Sequence, residues 1–140
     1  MRVVLDTNVL LAAFVAQGTC HDLLEHCQRE HHLVTSAFIL QEFEDKLKGK
    51  FKVPTEKAFV ATSLLRGSAE LVTPVPLHPQ VCRDRDDDWV LATARAGRVD
   101  CIIAGDKDLL SLGSFDGIPI LLPGHFWRHE AEARLDRSDG

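Results

Sequence analysis

The stretch "MRVVLDTNVLLAAF", residues 1–14, sets a single aspartate between two apolar runs, and its reading decides the fold. Val3, Val4 and Leu5 precede Asp6, and Val9 to Phe14 lie beyond Asn8. The first run is short and rich in valine, which predicts a fully buried strand over 2–5. Residues 9–15 read as the start of a helix or as an apolar turn. A carboxylate left unpaired at a buried seam is costly, so Asp6 either caps the next segment or holds a ligand.

The same pairing of strand and helix continues downstream. "TCHDLLEHCQREH" (19–31) predicts a helix with Cys20, Leu23, Leu24 and Cys27 on one face, and "HLVTS" (32–36) a second strand. Ser36 is placed to cap "SAFILQEFEDKLKGKF" (36–51), where Phe38, Ile39, Phe43 and Leu47 recur at helical spacing. A further helix is expected over 55–67, ended by Gly67. "AELVTPVPL" (69–77) reads as a strand confined to an edge by its prolines. "DRDDDWVLATARAG" (84–97) predicts a helix opened by acids and closed by Gly97. "DCIIAGDKDLLSL" (100–112) gives a buried strand over 101–104, a turn and a short helix, and "GIPILLPG" (117–124) the last strand. Such alternation implies βαβ crossovers and an α/β fold: a three-layer α/β/α sandwich around a mainly parallel sheet. Residues 1–128 are expected to form one domain and the polar segment 129–140 a frayed tail.

Composition narrows the classes. With 16 basic and 21 acidic residues the net charge is −5, which argues against a broad basic surface for gripping nucleic acid. A nuclease whose cations supply the local positive charge is compatible with it. Apolar residues make up 45% of the chain, with no uninterrupted run long enough to span a bilayer, so no membrane association is expected. Asp6 and Asn8 break the first apolar run and no cleavage site comes after it, so a signal peptide is not expected and the location is read as cytoplasmic. Cys20, Cys27, Cys82 and Cys101 lack metal-binding spacing and read as free thiols. His125 and His129 are four apart, but without a third ligand and beside Phe126 and Trp127 they read as packing residues.

In a parallel sheet, ligands bind beyond the carboxyl ends of the strands, so chemistry-bearing residues should sit just after strands. Asp6 ends the first strand, Asp106 comes directly after "CIIAG" with Asp108 two residues on, and Asp84, Asp86, Asp87 and Asp88 crowd one helix start. Glu42 lies in the middle of the third helix. Folding alone could gather residues separated by 36, 45 and 19 positions (Asp6, Glu42, Asp87, Asp106). Carboxylates so gathered would repel one another unless cations intervened, and an all-oxygen donor set favours Mg²⁺ or Mn²⁺ over zinc. Each acid also has an ordinary reading: a cap for Asp6, turn residues for Asp106 and Asp108, a solvated first turn for 84–88, a surface position for Glu42.

"VVLDTNVLLAAF", "SAFILQEFEDKLKGKF", "CRDRDDDWVLATARAG" and "DCIIAGDKDLL" together resemble, in order and spacing, the PIN-domain family of metal-dependent ribonucleases. The likeness is greatest to single-domain prokaryotic members of the VapC-like toxin type. It spans residues 2 to about 127. It implies that Asp6, Glu42, Asp87 and Asp106 are the catalytic, metal-binding acids, supported by Thr7 and Asn8. Asp87 is singled out because it stands five residues before the "ATA" of 92–94; on a helix it shares a face with Leu91 and Ala94. Asp84 lies one turn earlier on that face and, with Asp108, is a secondary metal candidate; Asp86 and Asp88 are expected to be solvated. Ala104 departs from the family, whose members often carry a hydroxyl there.

Further implications are a Mg²⁺- or Mn²⁺-dependent endoribonuclease, the toxin of a toxin–antitoxin pair, with an RNA substrate, a small antitoxin and a homodimeric assembly. The alternatives are a non-catalytic PIN-fold scaffold for RNA or protein, and a housekeeping RNA-processing nuclease without antitoxin. An aspartyl phosphatase would want a second acid where Asn8 stands. Lys46, Lys48, Lys50 and Lys52, in "KLKGKFK", read either as a solvated helix end or as a rim that guides RNA phosphates.

Overall fold

The computed structural model describes residues 1–139. Six strands form one sheet in the order β3-β2-β1-β4-β6-β5: β1 (Arg2–Leu5), β2 (His32–Thr35), β3 (Glu70–Leu71), β4 (Cys101–Ile103), β5 (Ser114–Phe115) and β6 (Ile118–Leu121). All pairings are parallel except β5 with β6. The helices are α1 (Thr7–Val15), α2 (Thr19–Glu30), α3 (Ala37–Gly49), α4 (Thr55–Gly67), α5 (Arg85–Gly97), α6 (Lys107–Leu112) and α7 (Phe126–Asp139), the last preceded by a 3-10 turn at Pro123–His125. Successive residues of the central strands, Val3 to Leu5 and Cys101 to Ile103, are all buried. Side chains alternate faces along a strand, so both faces are covered and the fold is the expected α/β/α sandwich. None of the described helices is long and apolar enough to cross a membrane.

The order of the strands fixes where a site can form. From β1 the chain moves outward to β2 and β3, then returns to β4 on the other side of β1. The direction of winding therefore reverses between β1 and β4. Beyond their carboxyl ends a crevice opens, and the first residues after them are Asp6 and the pair Gly105–Asp106. Close packing behind this junction depends on Gly97 at the end of α5: a Cβ there would lie 2.6 Å from Val34 Cγ1 of β2.

Several expectations change. The strand read over 69–77 shortens to Glu70–Leu71, since Pro74 and Pro76 lack the N–H a ladder needs. The short strand β5 is unexpected; it joins β6 through Asp116 and Gly117, both at positive φ (53° and 77°), as a tight hairpin requires. Phe38 lies off the buried stripe of α3, where Ile39, Leu40, Phe43 and Leu47 face the core, and is 47% exposed. All four cysteines are free, as expected.

The largest difference lies at the C-terminus. Instead of fraying, residues beyond Arg128 continue helix α7. Two anchors hold it. Phe126 is fully buried, and Glu130 Oε2 meets Nε2 of His26 at 2.6 Å and Nε2 of His31 at 2.5 Å. Trp127 packs on the His26 ring, with centroids 4.7 Å apart, and His31 Nδ1 lies 3.0 Å from the Met1 amine. Burial pushes Glu130 up, but the bonds from both imidazoles outweigh it and hold the carboxyl below its ordinary range. Truncating Glu130 strands two largely buried imidazoles. Glu130→Ala should cost about 2 kcal/mol and, for a domain of this size, about 6 °C in Tm. Amide exchange of α7 should rise with it; unchanged exchange across 126–137 would show that Phe126 alone docks the helix.

Candidate metal centre and active site

Asp6 takes the capping role raised by the sequence and adds a second tie. Its Oδ1 accepts from Val9 N at 2.7 Å and so caps α1, while Oδ2 accepts from Gly105 N at 3.1 Å across the β1–β4 junction. The side chain is nearly sealed, at 2% exposure. Burial pushes its pKa up; the N–H groups of Val9, Gly105 and Asp106 oppose that, and the Asp106 charge adds to it.

Asp106 is tied in the same way at the start of α6, where Oδ1 accepts from Asp108 N at 2.8 Å and Leu109 N at 3.1 Å. Asp84 caps α5 by accepting from Asp86 N at 2.9 Å. Asp87, half-buried one turn into α5, receives no such backbone bond. Carboxylate oxygens of Asp87, Asp106 and Asp108 lie within 4.8 Å of one another. Burial first, then the charges of Asp106 and Asp84, push Asp87 up to about 7. Glu42 comes from the middle of α3, is half-buried and also rises: burial leads, Asp86 adds, and Thr7 and Lys46 oppose.

Asp6, Glu42, Asp87 and Asp106 thus line one cleft, together with Asp84 and Asp86. Thr7 and Asn8, the supporting residues, line it too. Lys46 enters it as well, 3.8 Å from Glu42 on the same helix. Lys48, Lys50 and Lys52 are not among its walls; Lys50 sits 5.5 Å from the Phe51 ring. Asp108 stands beside the cleft in a 2.7 Å pair with Arg83. Asp88, expected to be solvated, is buried instead: it accepts from Val81 N at 3.0 Å and Cys82 N at 2.7 Å, pinning the loop before α5. Nothing in the acid run distinguishes it. Only the path of the preceding loop does. Ala104 is buried and offers no hydroxyl, and the neighbouring Gly105 N–H holds Asp6 without it.

The donors fit a hard divalent cation. They are all oxygens, and burial together with the charges of Asp106 and Asp84 raises Asp87, the direction expected where no cation offsets gathered acids. The Thr7 hydroxyl is buried in the same cleft beside Glu42, whose negative charge it favours. A second set, His26, His31 and Glu130, has its ligand atoms equally close, but they bond one another to hold α7.

Comparison with known proteins agrees with this architecture. The PIN-domain profile matches residues 2–108. The chain belongs to the PIN-domain family, whose members are nucleases that generally use divalent metals. Solved structures with the same fold include VapBC2 from Rickettsia felis bound to a DNA fragment of its promoter, at 11% identity and TM-score 0.62, covering 86% of this chain and 97% of that one. VapBC-1 from nontypeable Haemophilus influenzae is 16% identical, TM-score 0.61, covering 89% and 99%. VapC20 of Mycobacterium tuberculosis, a sarcin-ricin loop cleaving toxin, is 20% identical, TM-score 0.57, covering 84% and 98%. No curated protein matches the chain by sequence.

The crowding of Asp87 has a measurable sign. Between its ordinary value of 3.8 and about 7 the folded protein keeps a proton that the unfolded chain releases. The contribution of Asp87 to stability therefore falls as pH rises through that window. With EDTA present, Asp87→Asn should raise Tm at pH 8 by a few degrees, about 1 kcal/mol after solvent screening, and have little effect near pH 4. An equal shift at both pH values in thermal melts would refute the raised pKa of Asp87.

Proposed function

We propose that this PIN domain is a Mg²⁺- or Mn²⁺-dependent endoribonuclease and the toxin of a toxin–antitoxin pair. The observation that carries the reading is the meeting of Asp6, Glu42, Asp87 and Asp106, from four separate segments, in one cleft at the reversal point of the sheet. Asp6, Glu42, Asp87 and Asp106 would hold the ion, with Asp84 and Asp108 as flanking acids. When bound, it would supply Lewis acidity and the positive charge that a phosphodiester needs among these carboxylates.

The chain's own residues divide the work. Asp6 and Asp106 are oriented by backbone N–H groups and so present their remaining lone pairs without reorganisation. Asp87 and Glu42 lack such ties and can adjust as substrate enters. Lys46 places an ammonium beside Glu42 for a substrate phosphate. Lys48, Lys50 and Lys52 would then guide the RNA backbone from outside the cleft.

RNA as substrate is supported by the fold shared with VapC20, whose target is the sarcin-ricin loop. A small antitoxin is supported by the VapBC structures and by exposed apolar side chains on α4 (Phe59, Val60 and Leu64), beside a groove lined by Leu10, Phe14 and Phe43. A homodimer and a cytoplasmic location complete the proposal.

Asp6→Asn keeps a side chain that can cap α1 while removing the charge. RNA cleavage in Mg²⁺ or Mn²⁺ should drop by more than about a hundredfold, beyond what loss of a supporting group alone costs. Calorimetric titration with Mn²⁺ should lose its heat in the same variant. Cleavage that survives Asp6→Asn undiminished would rule out the assignment. A wild-type chain that binds no Mn²⁺ would be a scaffold.

A further inference from the structure

Beside the acids the cleft continues over two aromatic rings. Phe38 of α3 and Trp89 of α5 lie parallel, 3.9 Å between centroids and 7° between planes. Phe38 and Glu42 are four residues apart on α3, and Asp86 and Trp89 three apart on α5, so each helix sets an acid and a ring about one turn apart. Phe38, Trp89, Glu42 and Asp86 line one shallow recess, and the two acids are shared with the metal cleft.

The core does not call for Phe38. It lies off the buried stripe of its helix, and with one face on Trp89 its 47% exposure falls on the other face and edge. Trp89 also walls a neighbouring cavity of about 480 Å³ that holds Arg85, His78 and Gln80. Gln80 Nε2 donates to the carbonyls of Cys82 (2.7 Å) and Arg83 (3.1 Å), which fixes its amide plane. Arg85 makes no ion pair among the described residues. A flat open ring, an unpaired guanidinium and an oriented amide next to a phosphodiester-cleaving centre are what an unpaired nucleotide requires.

We infer that the Phe38–Trp89 pair stacks one unpaired base of the RNA adjoining the cleaved phosphodiester. The inference rests on the nuclease reading and deepens it by naming a base-stacking subsite beside the acids. Phe38 supplies the stacking surface, Trp89 backs it, and Arg85 takes a flanking phosphate. A base held there places the next phosphate over the acids one helical turn away.

The test uses the full chain with Asp6 intact, nuclease-resistant oligomers in place of cleavable RNA, and Trp127→Phe to leave Trp89 as the sole tryptophan, of two in the sequence. In Mg²⁺, a single-stranded octaribonucleotide should quench Trp89 fluorescence, whereas an abasic oligomer of equal length and charge, or a duplex, should not. Phe38→Ala should weaken single-strand binding about tenfold and Phe38→Tyr restore it, the range expected for one stacked base. Because Phe38 is half exposed, neither change should disturb folding. Equal quenching by abasic or duplex ligand, no quenching at all, or a Phe38→Ala effect under about twofold overturns the inference. Absence of base-dependent quenching with a concentration-dependent dimer lost in Phe38→Ala would assign the ring to a protein contact instead. If wild-type cleavage persists while quenching is absent, only the stacking fails; if cleavage is absent while quenching is present, only the nuclease reading does.

Discussion

One buried carboxylate organises this molecule. Asp6 closes β1, caps α1 and accepts from Gly105 beyond β4, so strand, helix and neighbouring strand are fastened at a single side chain with 2% exposure. The clamp also orients one member of the acidic cleft. A hydrophobic residue there would leave the first turn of α1 and the Gly105 amide without their acceptor, whereas the carboxylate serves both at the cost of its own burial. Architecture and chemistry are thus joined at one residue, and a substitution there acts on both.

The rest of the cleft is under electrostatic tension. Asp87 and Glu42 lack backbone donors that would stabilise their charge, and both rise in pKa through burial and neighbouring acids. Lys46 offsets Glu42 only in part, at 3.8 Å and half-exposed. Such an arrangement destabilises the fold, and a cation bound among these acids would relieve it. The opposite end of the sheet is resolved differently: Glu130 Oε2 is bonded by two imidazoles and Oε1 lies 3.5 Å from Arg134, and these ties hold α7 in place. Similar carboxylates are thus left in tension at one end of the sheet and relieved at the other.

Much of this is legible in the sequence because the signals are local. Strand 2–5, the Ser36 cap, the acid-opened α5 and the alternation that forces a parallel sheet can each be read within a dozen residues. Asp6 and Asp106 can be named because family spacing and the strand-end rule select the same positions, Asp87 and Glu42 because family spacing selects them on helices, and all four line one cleft. The features that escape are non-local or too short to carry a pattern. Docking of α7 depends on His26 and His31, 104 and 99 residues from Glu130. The role of Asp88 depends on where the 81–82 backbone runs, and β5 is two residues long. Phe38 fits a helical apolar stripe by spacing, and only the rotation of α3 turns it outward.

Diffraction from crystals soaked in Mn²⁺, recorded for its anomalous signal, tests most directly whether the converging acids form a metal centre. A peak coordinated by oxygens of Asp6, Asp87 and Asp106, with Glu42 within reach, is the expected result. A well-ordered crystal with no peak in that cleft, or with manganese at His26, His31 and Glu130 instead, would contradict it.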